Sequence, residues 1–230
     1  MKLAVLFSGG KDSCYALYET SKNNEICCLI SIKSKNKDSY MFHTPNIELT
    51  KLQSEALKIP LLDCMTEGNK EEELEDLKKA VERAKKKYKI DAVVTGAVAS
   101  VYQKSRIQKI CDELKIKCIN PLWQRNQTEL LTEMIDNNFK FIITKIAAEG
   151  LDSSWLGKII EKKDIEKIIM LNKKFGLNPV FEGGEAETLV IDAPNFKKKL
   201  KIGKAETIME NENTGAYVIK NVELESKSMN

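Results

Sequence analysis

Leu3-Ala4-Val5-Leu6-Phe7 runs straight into Ser8-Gly9-Gly10-Lys11-Asp12-Ser13, and that junction decides the fold. An apolar run ending in a glycine pair, followed by a helix-like stretch to about residue 22, reads as a buried strand, a tight turn and a helix. The glycines let the backbone turn sharply and come close to a ligand, while the free N–H groups of a helix start attract an anion. Ser8 and Ser13 add hydroxyl donors. Asp12 is an unusual companion for a bare phosphate; its carboxylate suits a Mg²⁺ ion beside the phosphate, or caps the helix. The spacing is neither that of a Walker A loop nor that of a GxGxxG dinucleotide loop.

Working outward, strand-like and helix-like segments alternate. Residues 26–32, 60–64, 91–95, 116–119 and 139–144 read as further strands. Between them lie helices starting near Pro45, over Leu74–Tyr88, through Ile107–Leu114, and near 127–137. Leu74, Leu77, Val81, Ala84 and Tyr88 recur at helical spacing and mark the buried face of the third helix. This repeated βα order predicts an α/β fold, a doubly wound parallel sheet covered on both faces. After about residue 146 the pattern changes. A helical segment near 154–175, the stretch Glu182-Gly183-Gly184-Glu185-Ala186-Glu187-Thr188, and an antiparallel hairpin of residues 199–209 and 215–225 predict a smaller α+β lobe. The expected domains are therefore residues 1–146 for nucleotide binding and 147–230 for substrate.

Composition narrows the class. With 42% hydrophobic and 31% charged residues the chain is that of a soluble globular protein, without an apolar run near the roughly 20 residues of a membrane span. The N-terminus enters a strand at once with no basic leader, so a cytoplasmic location is expected and no membrane association. A mild net charge of +3 permits an acidic or nucleic-acid partner but does not argue for one. The lysine-rich stretches at 85–89 and 197–201 lack interleaved aromatics, so they read as solvated faces and nucleic acid is not an expected partner. The six cysteines form no CxxC pair and sit in or beside apolar segments, which favours buried thiols over metal or redox chemistry. His43 is the sole histidine, so a His-rich metal site is excluded.

A parallel sheet brings every strand's carboxyl end to one edge, where ligands bind. The Ser8–Ser13 loop, Ser31–His43, Gly96–Arg106 and Thr144–Trp155 are the segments expected there. Gly96 to Ser100 supplies a small-residue loop that a base or ribose could approach. Tyr102 and Arg106 share a helix face, fitting either a contact to nucleotide or acidic substrate or a surface stack; Gln103 lies beside them. His43 precedes Thr44, a natural N-cap. Glu182, Glu185 and Glu187 surround a glycine pair between apolar runs, and carboxylates held so close call for a cation or an ammonium. The alternative is a solvated turn.

Ser8–Ser13 resembles the SGGxDS loop of the PP-loop (N-type) ATP pyrophosphatases. With His43-Thr44-Pro45-Asn46, Gly96 through Arg106, Pro121-Leu122-Trp123 and EGGEAET before Asp192-Ala193-Pro194, nearly the whole chain resembles the diphthine–ammonia ligase family in its short, archaeal form. Ala186 departs from the pattern, where relatives often carry an aromatic residue. The resemblance implies ATP and Mg²⁺ as cofactors and ammonium as co-substrate. Diphthine-bearing translation elongation factor 2 is the implied partner, and a homo-oligomer is left open. It implies adenylation of the diphthine carboxylate, release of pyrophosphate, and attack by ammonia to give diphthamide and AMP.

On that resemblance Ser8, Gly9, Gly10, Lys11, Asp12, Ser13, Ser31, Gly96 and Arg106 are expected at the nucleotide, with Asp12 also at Mg²⁺. His43, Tyr102, Gln103 and Glu182 are expected at the substrate, and Asp12, Glu185 and Glu187 in catalysis. The glutamates either attract ammonium and accept its proton or bind the trimethylammonium of diphthine. The Gly183–Gly184 turn is expected to bring them to the ATP edge. Rival readings are a tRNA-modifying PP-loop enzyme, for which the chain lacks a convincing cysteine pair, and a stress-type nucleotide-binding protein, which would not make pyrophosphate.

Overall fold

The computed structural model describes residues 1–34, 49–66 and 70–227. The chain divides into two compact units, one of residues 1–8 and 12–123, the other of residues 124–230 together with Gly9–Lys11.

In the first unit, strands β1 (Lys2–Leu6), β2 (Glu25–Ser34), β3 (Leu61–Thr66), β4 (Ala92–Val94) and β5 (Lys117–Ile119) form one parallel sheet. Its order is β3-β2-β1-β4-β5. Helices α1 (Lys11–Ser21), α2 (Thr50–Leu57), α3 (Lys70–Tyr88) and α4 (Val101–Glu113) make the crossovers. Parallel strands covered by helices bury both faces, which is why β1 and β4 are almost wholly apolar. The α3 stripe expected from periodicity is confirmed: Leu77, Val81 and Ala84 are buried with Ala4, Val93, Ile107 and Cys111, and Leu74 and Tyr88 pack at the margin.

The second unit holds α5 (Gln127–Asp136), β6 (Lys140–Ala147), α6 (Lys162–Phe175), β7 (Ala186–Asp192), β8 (Lys198–Asn211) and β9 (Thr214–Ser226). Its sheet is antiparallel in the order β7-β6-β9-β8. The β8–β9 hairpin matches the expected one closely. Strand β6 does not join the parallel sheet, as its sequence suggested; it pairs with β7 and β9. The reason is physical. Phe141, Ile142 and Ile143 are buried on both faces of β6, and a continuous apolar run looks the same in either kind of sheet. Strand pairing thus places α5 and β6 with the second unit, and the division falls at Trp123/Gln124 where residue 146 was expected. Among the described residues, no helix is long and apolar enough to cross a membrane.

Helix α6 shows how local sequence sets its limits. Glu161 and Asp164 form a reciprocal capping box at its start, and Gly176 closes it in the left-handed region at φ 72°. Asp164, fully buried, is also ion-paired with Lys158.

Candidate active site

The strand order of the parallel sheet reverses at β1, because β2 and β4 lie on its two sides. A crevice opens at the carboxyl ends of two strands that diverge in this way. Val5 is paired with Val94, so Phe7–Ser8 and Thr95–Gly96 leave the sheet side by side. Helix α1 starts at Lys11 with Asp12 in its first turn. The Ser8 and Ser13 hydroxyls are 3.2 Å apart. Asp12 is half-buried and its Oδ1 is enclosed.

Gly96 is brought against this loop, as expected, but for a different reason. A Cβ there would lie 2.7 Å from the Ser13 nitrogen and 2.8 Å from the Asp12 carbonyl carbon, so its bareness serves the close approach of two protein backbones. Thr95 fixes the approach: its N–H donates to Ile119 O at 3.0 Å and its hydroxyl to Asn120 Oδ1 at 2.6 Å. The Ala97 N–H donates back to the Thr95 hydroxyl at 3.2 Å.

Ser100 caps α4 by accepting from Gln103 N–H at 3.3 Å. The Arg106 guanidinium lies 3.4 Å from the Tyr102 ring centroid, the helical pairing expected from the sequence. Arg106 Nε is buried without a hydrogen-bond partner among the described residues, which leaves that donor for an anionic or carbonyl group. Lys104 sits 4.1 Å from the Trp123 ring centroid, in keeping with a packing role for that tryptophan. Ser31 is placed differently from the loop segment expected at the sheet edge. It lies within β2, which runs on to Ser34, and is fully buried with its hydroxyl taking a 3.4 Å bond from Thr50, so it does not sit on the loop after the strand. Thr144 to Trp155 follows or belongs to β6, which is not a strand of the parallel sheet. His43 lies outside the described residues.

Gly9–Lys11 is gathered with the second unit through β7. Gly9, at φ 80°, adopts a conformation that only glycine takes freely, and its carbonyl accepts from Val190 N–H at 3.0 Å. Lys11 N–H, the first amide of α1, donates to the Thr188 hydroxyl at 3.1 Å. Lys11 itself is buried; its ammonium donates to the Val180 carbonyl and lies 5.5 Å from the Phe181 ring centroid. Thus one amide and one ammonium expected at phosphate are engaged by protein groups. Thr188 and Asn178 are the residues that sequence reasoning missed.

The three glutamates separate in character. Glu182 N–H donates to Asn178 Oδ1 at 3.4 Å. Glu185 Oε1 accepts from Asn178 N–H at 3.0 Å, which ties it to the turn. Glu187, on β7, stands 3.7 Å from Lys145 Nζ. Burial pushes its carboxyl up to about 7, and the neighbouring ammonium opposes this only in part. The Oε2 atoms of Glu185 and Glu187 are buried and meet no hydrogen-bond donor among the described residues. A carboxyl near neutrality with a spare oxygen can accept or return a proton at working pH.

The match to known proteins runs nearly end to end. The family model described as diphthamide synthase N-terminal domain matches residues 1–118, and the diphthamide synthase C-terminal domain matches residues 126–224. A Mus musculus protein named diphthine–ammonia ligase is 36% identical over 95% of this chain and 89% of its own length. The Homo sapiens protein of that name is 34% identical over the same shares. A solved Methanocaldococcus jannaschii structure, described as a predicted subunit of tRNA methyltransferase, is 19% identical with a TM-score of 0.45. It covers 84% of this chain and 97% of its own. On both domain models and these identities, the chain belongs to the diphthamide synthase family.

Proposed function

We propose that this protein is a diphthine–ammonia ligase that converts the carboxylate of diphthine on translation elongation factor 2 to the carboxamide of diphthamide. ATP activates the carboxylate as an acyl-adenylate, pyrophosphate departs, and ammonia displaces AMP. The observation that carries the reading is the Ser8–Ser13 loop at the reversal point of the parallel sheet, in a chain matched by both diphthamide synthase domains.

Remaining amides of the loop, the Ser8 and Ser13 hydroxyls and the start of α1 would hold the phosphates. Mg²⁺ bound mainly by nucleotide phosphates needs only one or two protein carboxylates, and Asp12 is the carboxylate proposed for it. This fits a chain in which no three ligating side chains cluster among the described residues. When bound, the ion neutralises charge on the leaving pyrophosphate. Arg106 Nε is proposed to reach the nucleotide, Tyr102 and Gln103 to line the substrate, and Glu187 to take the proton released when ammonia attacks. Glu185 is proposed to hold the turn and offer Oε2 to a cationic group.

The test is incubation with diphthine-bearing elongation factor 2, ATP, Mg²⁺ and ammonium, with the mass of the modified histidine as readout. A shift from carboxylate to amide, with AMP formed, is the expected result. ATP binding without AMP formation would favour a nucleotide-sensing role.

A further inference from the structure

Lys11 belongs to the glycine loop by sequence, but its ammonium reaches the segment before β7. The residue is only 2% exposed, and the ammonium donates to the Val180 carbonyl and lies 5.5 Å from the Phe181 ring centroid. A buried ammonium needs partners of this kind, and a carbonyl beside an aromatic face supplies them. From Val180 the contacts run on to the glutamates. Val180 N–H donates to Asn178 Oδ1 at 3.0 Å, and Glu182 N–H reaches the same oxygen at 3.4 Å. Asn178 N–H donates to Glu185 Oε1 at 3.0 Å, and the Asn178 carbonyl accepts from Phe181 N–H at 2.9 Å.

The turn so organised is a strained one. Phe181 is buried at φ 61°, a conformation that a bulky residue keeps only where its surroundings hold it. Gly183 lets the Glu185 carboxylate fold back over the turn, since a Cβ there would lie 2.7 Å from Oε1. The other oxygen, Oε2, is buried without a hydrogen-bond donor among the described residues. We propose that Lys11 is a positioning residue for a cationic substrate and not a ligand of the ATP phosphates. Through Val180 and Asn178 it fixes Glu185, and Glu185 Oε2 receives a nitrogen cation, either ammonium or the trimethylammonium of diphthine. A carboxylate held in one place by folding binds a small cation more tightly than one spread over several rotamers, because the ordering is already done.

This inference rests on the amidation reading above, so the experiment includes measurements that do not. Lys11→Met keeps the length of the side chain and removes its charge and donors. In assays of AMP formation, its KM for ammonium or for diphthine-bearing elongation factor 2 should rise about tenfold, while ATP affinity by titration stays within about twofold. The two KM series tell which cation Glu185 receives. Asn178→Ala should reproduce this split without touching the loop, and Asn178→Asp, which keeps Oδ1, should restore most of the loss. Hydrogen exchange at the Val180 and Glu182 amides should quicken in Lys11→Met and in Asn178→Ala. Weaker ATP binding by Lys11→Met, with both other KM values unchanged, returns Lys11 to the phosphates and overturns the proposal. An equal loss in every parameter beside an earlier melt also overturns it, because that marks a purely structural lysine. If Lys11→Met does not fold, the Asn178 variants decide, and unchanged KM values in Asn178→Ala overturn the proposal. If the wild-type chain forms no amide, the amidation reading fails by itself; ATP titration and amide exchange of Lys11→Met then decide the placement of Lys11.

Discussion

The Lys11 backbone N–H donates to the Thr188 hydroxyl at 3.1 Å, across 177 positions of sequence. An amide at the first turn of a helix has no partner within the helix, so something outside must satisfy it. Here a side chain from β7 does so, and Val190 N–H binds Gly9 O alongside. Gly9–Lys11 and the strand that carries Glu187 are therefore fixed to one another.

Thr188→Val keeps the shape of the side chain and removes the acceptor. The Lys11 amide is then left without its Thr188 bond in a buried position, and loss of such a cap typically costs about 1 kcal/mol. Urea denaturation should show that loss, and ATP titration a few-fold weaker affinity. Thr188→Ser should restore most of both. Unchanged stability in the valine variant would mean that the contact contributes nothing.

Gly96→Ala tests the second brace. Its Cβ would fall 2.7 Å from the Ser13 nitrogen, inside contact distance of backbone that cannot swing away as a side chain could. Overpacking of this kind costs roughly 1–3 kcal/mol. The variant should melt earlier and bind ATP more weakly, because relief of the clash moves Asp12 and Ser13. A wild-type melting point would show that the loops separate freely.

Much of this was legible in the sequence, and the parts that were not share a cause. The βα alternation and the Ser8–Ser13 loop could be read because strand period, glycines and helix starts are local signals. The α3 stripe and the β8–β9 hairpin were readable on the same ground. Strand β6 was misassigned because Phe141-Ile142-Ile143 carries no mark of parallel or antiparallel partners. Ser31 was placed on a loop because an apolar strand can continue through polar residues such as Lys33 and Ser34. The roles of Thr188 and Asn178 depend on contacts made across the fold, which no spacing rule encodes. The differing characters of Glu185 and Glu187 depend on burial for the same reason.

Asp12→Ala should leave the fold intact and abolish AMP formation. Asp12 is half-buried at a helix start and contributes no apolar packing, so its loss falls on chemistry. Removing one preorganised electrostatic group costs about 3 kcal/mol in the transition state, or more than a hundredfold in rate. The check is ATP-to-AMP turnover beside a circular dichroism melt. Turnover near wild type would refute the assignment of Asp12 to the metal and phosphates.

Glu187→Gln carries a pH signature that separates burial from catalysis. Burial raises the Glu187 carboxyl from its ordinary 4.5 to about 7, so between those values the folded chain holds a proton that the unfolded chain has released. Stability from this group is fully present below the window, falls as pH rises through it, and levels off above about 7. The displacement corresponds to roughly 3 kcal/mol at most, since each pKa unit is about 1.36 kcal/mol. Glutamine cannot ionise, so the variant should lose that slope and be the more stable protein at alkaline pH. Subtracting its denaturation curve from that of wild type removes every other titrating carboxylate from the comparison. The same substitution should leave ATP affinity within a few-fold, because the phosphates are assigned to the Ser8–Ser13 loop, while diphthine amidation is lost. A variant that amidates at the wild-type rate yet shows the stability gain would make Glu187 a buried structural acid and pass the proton-accepting role to another group.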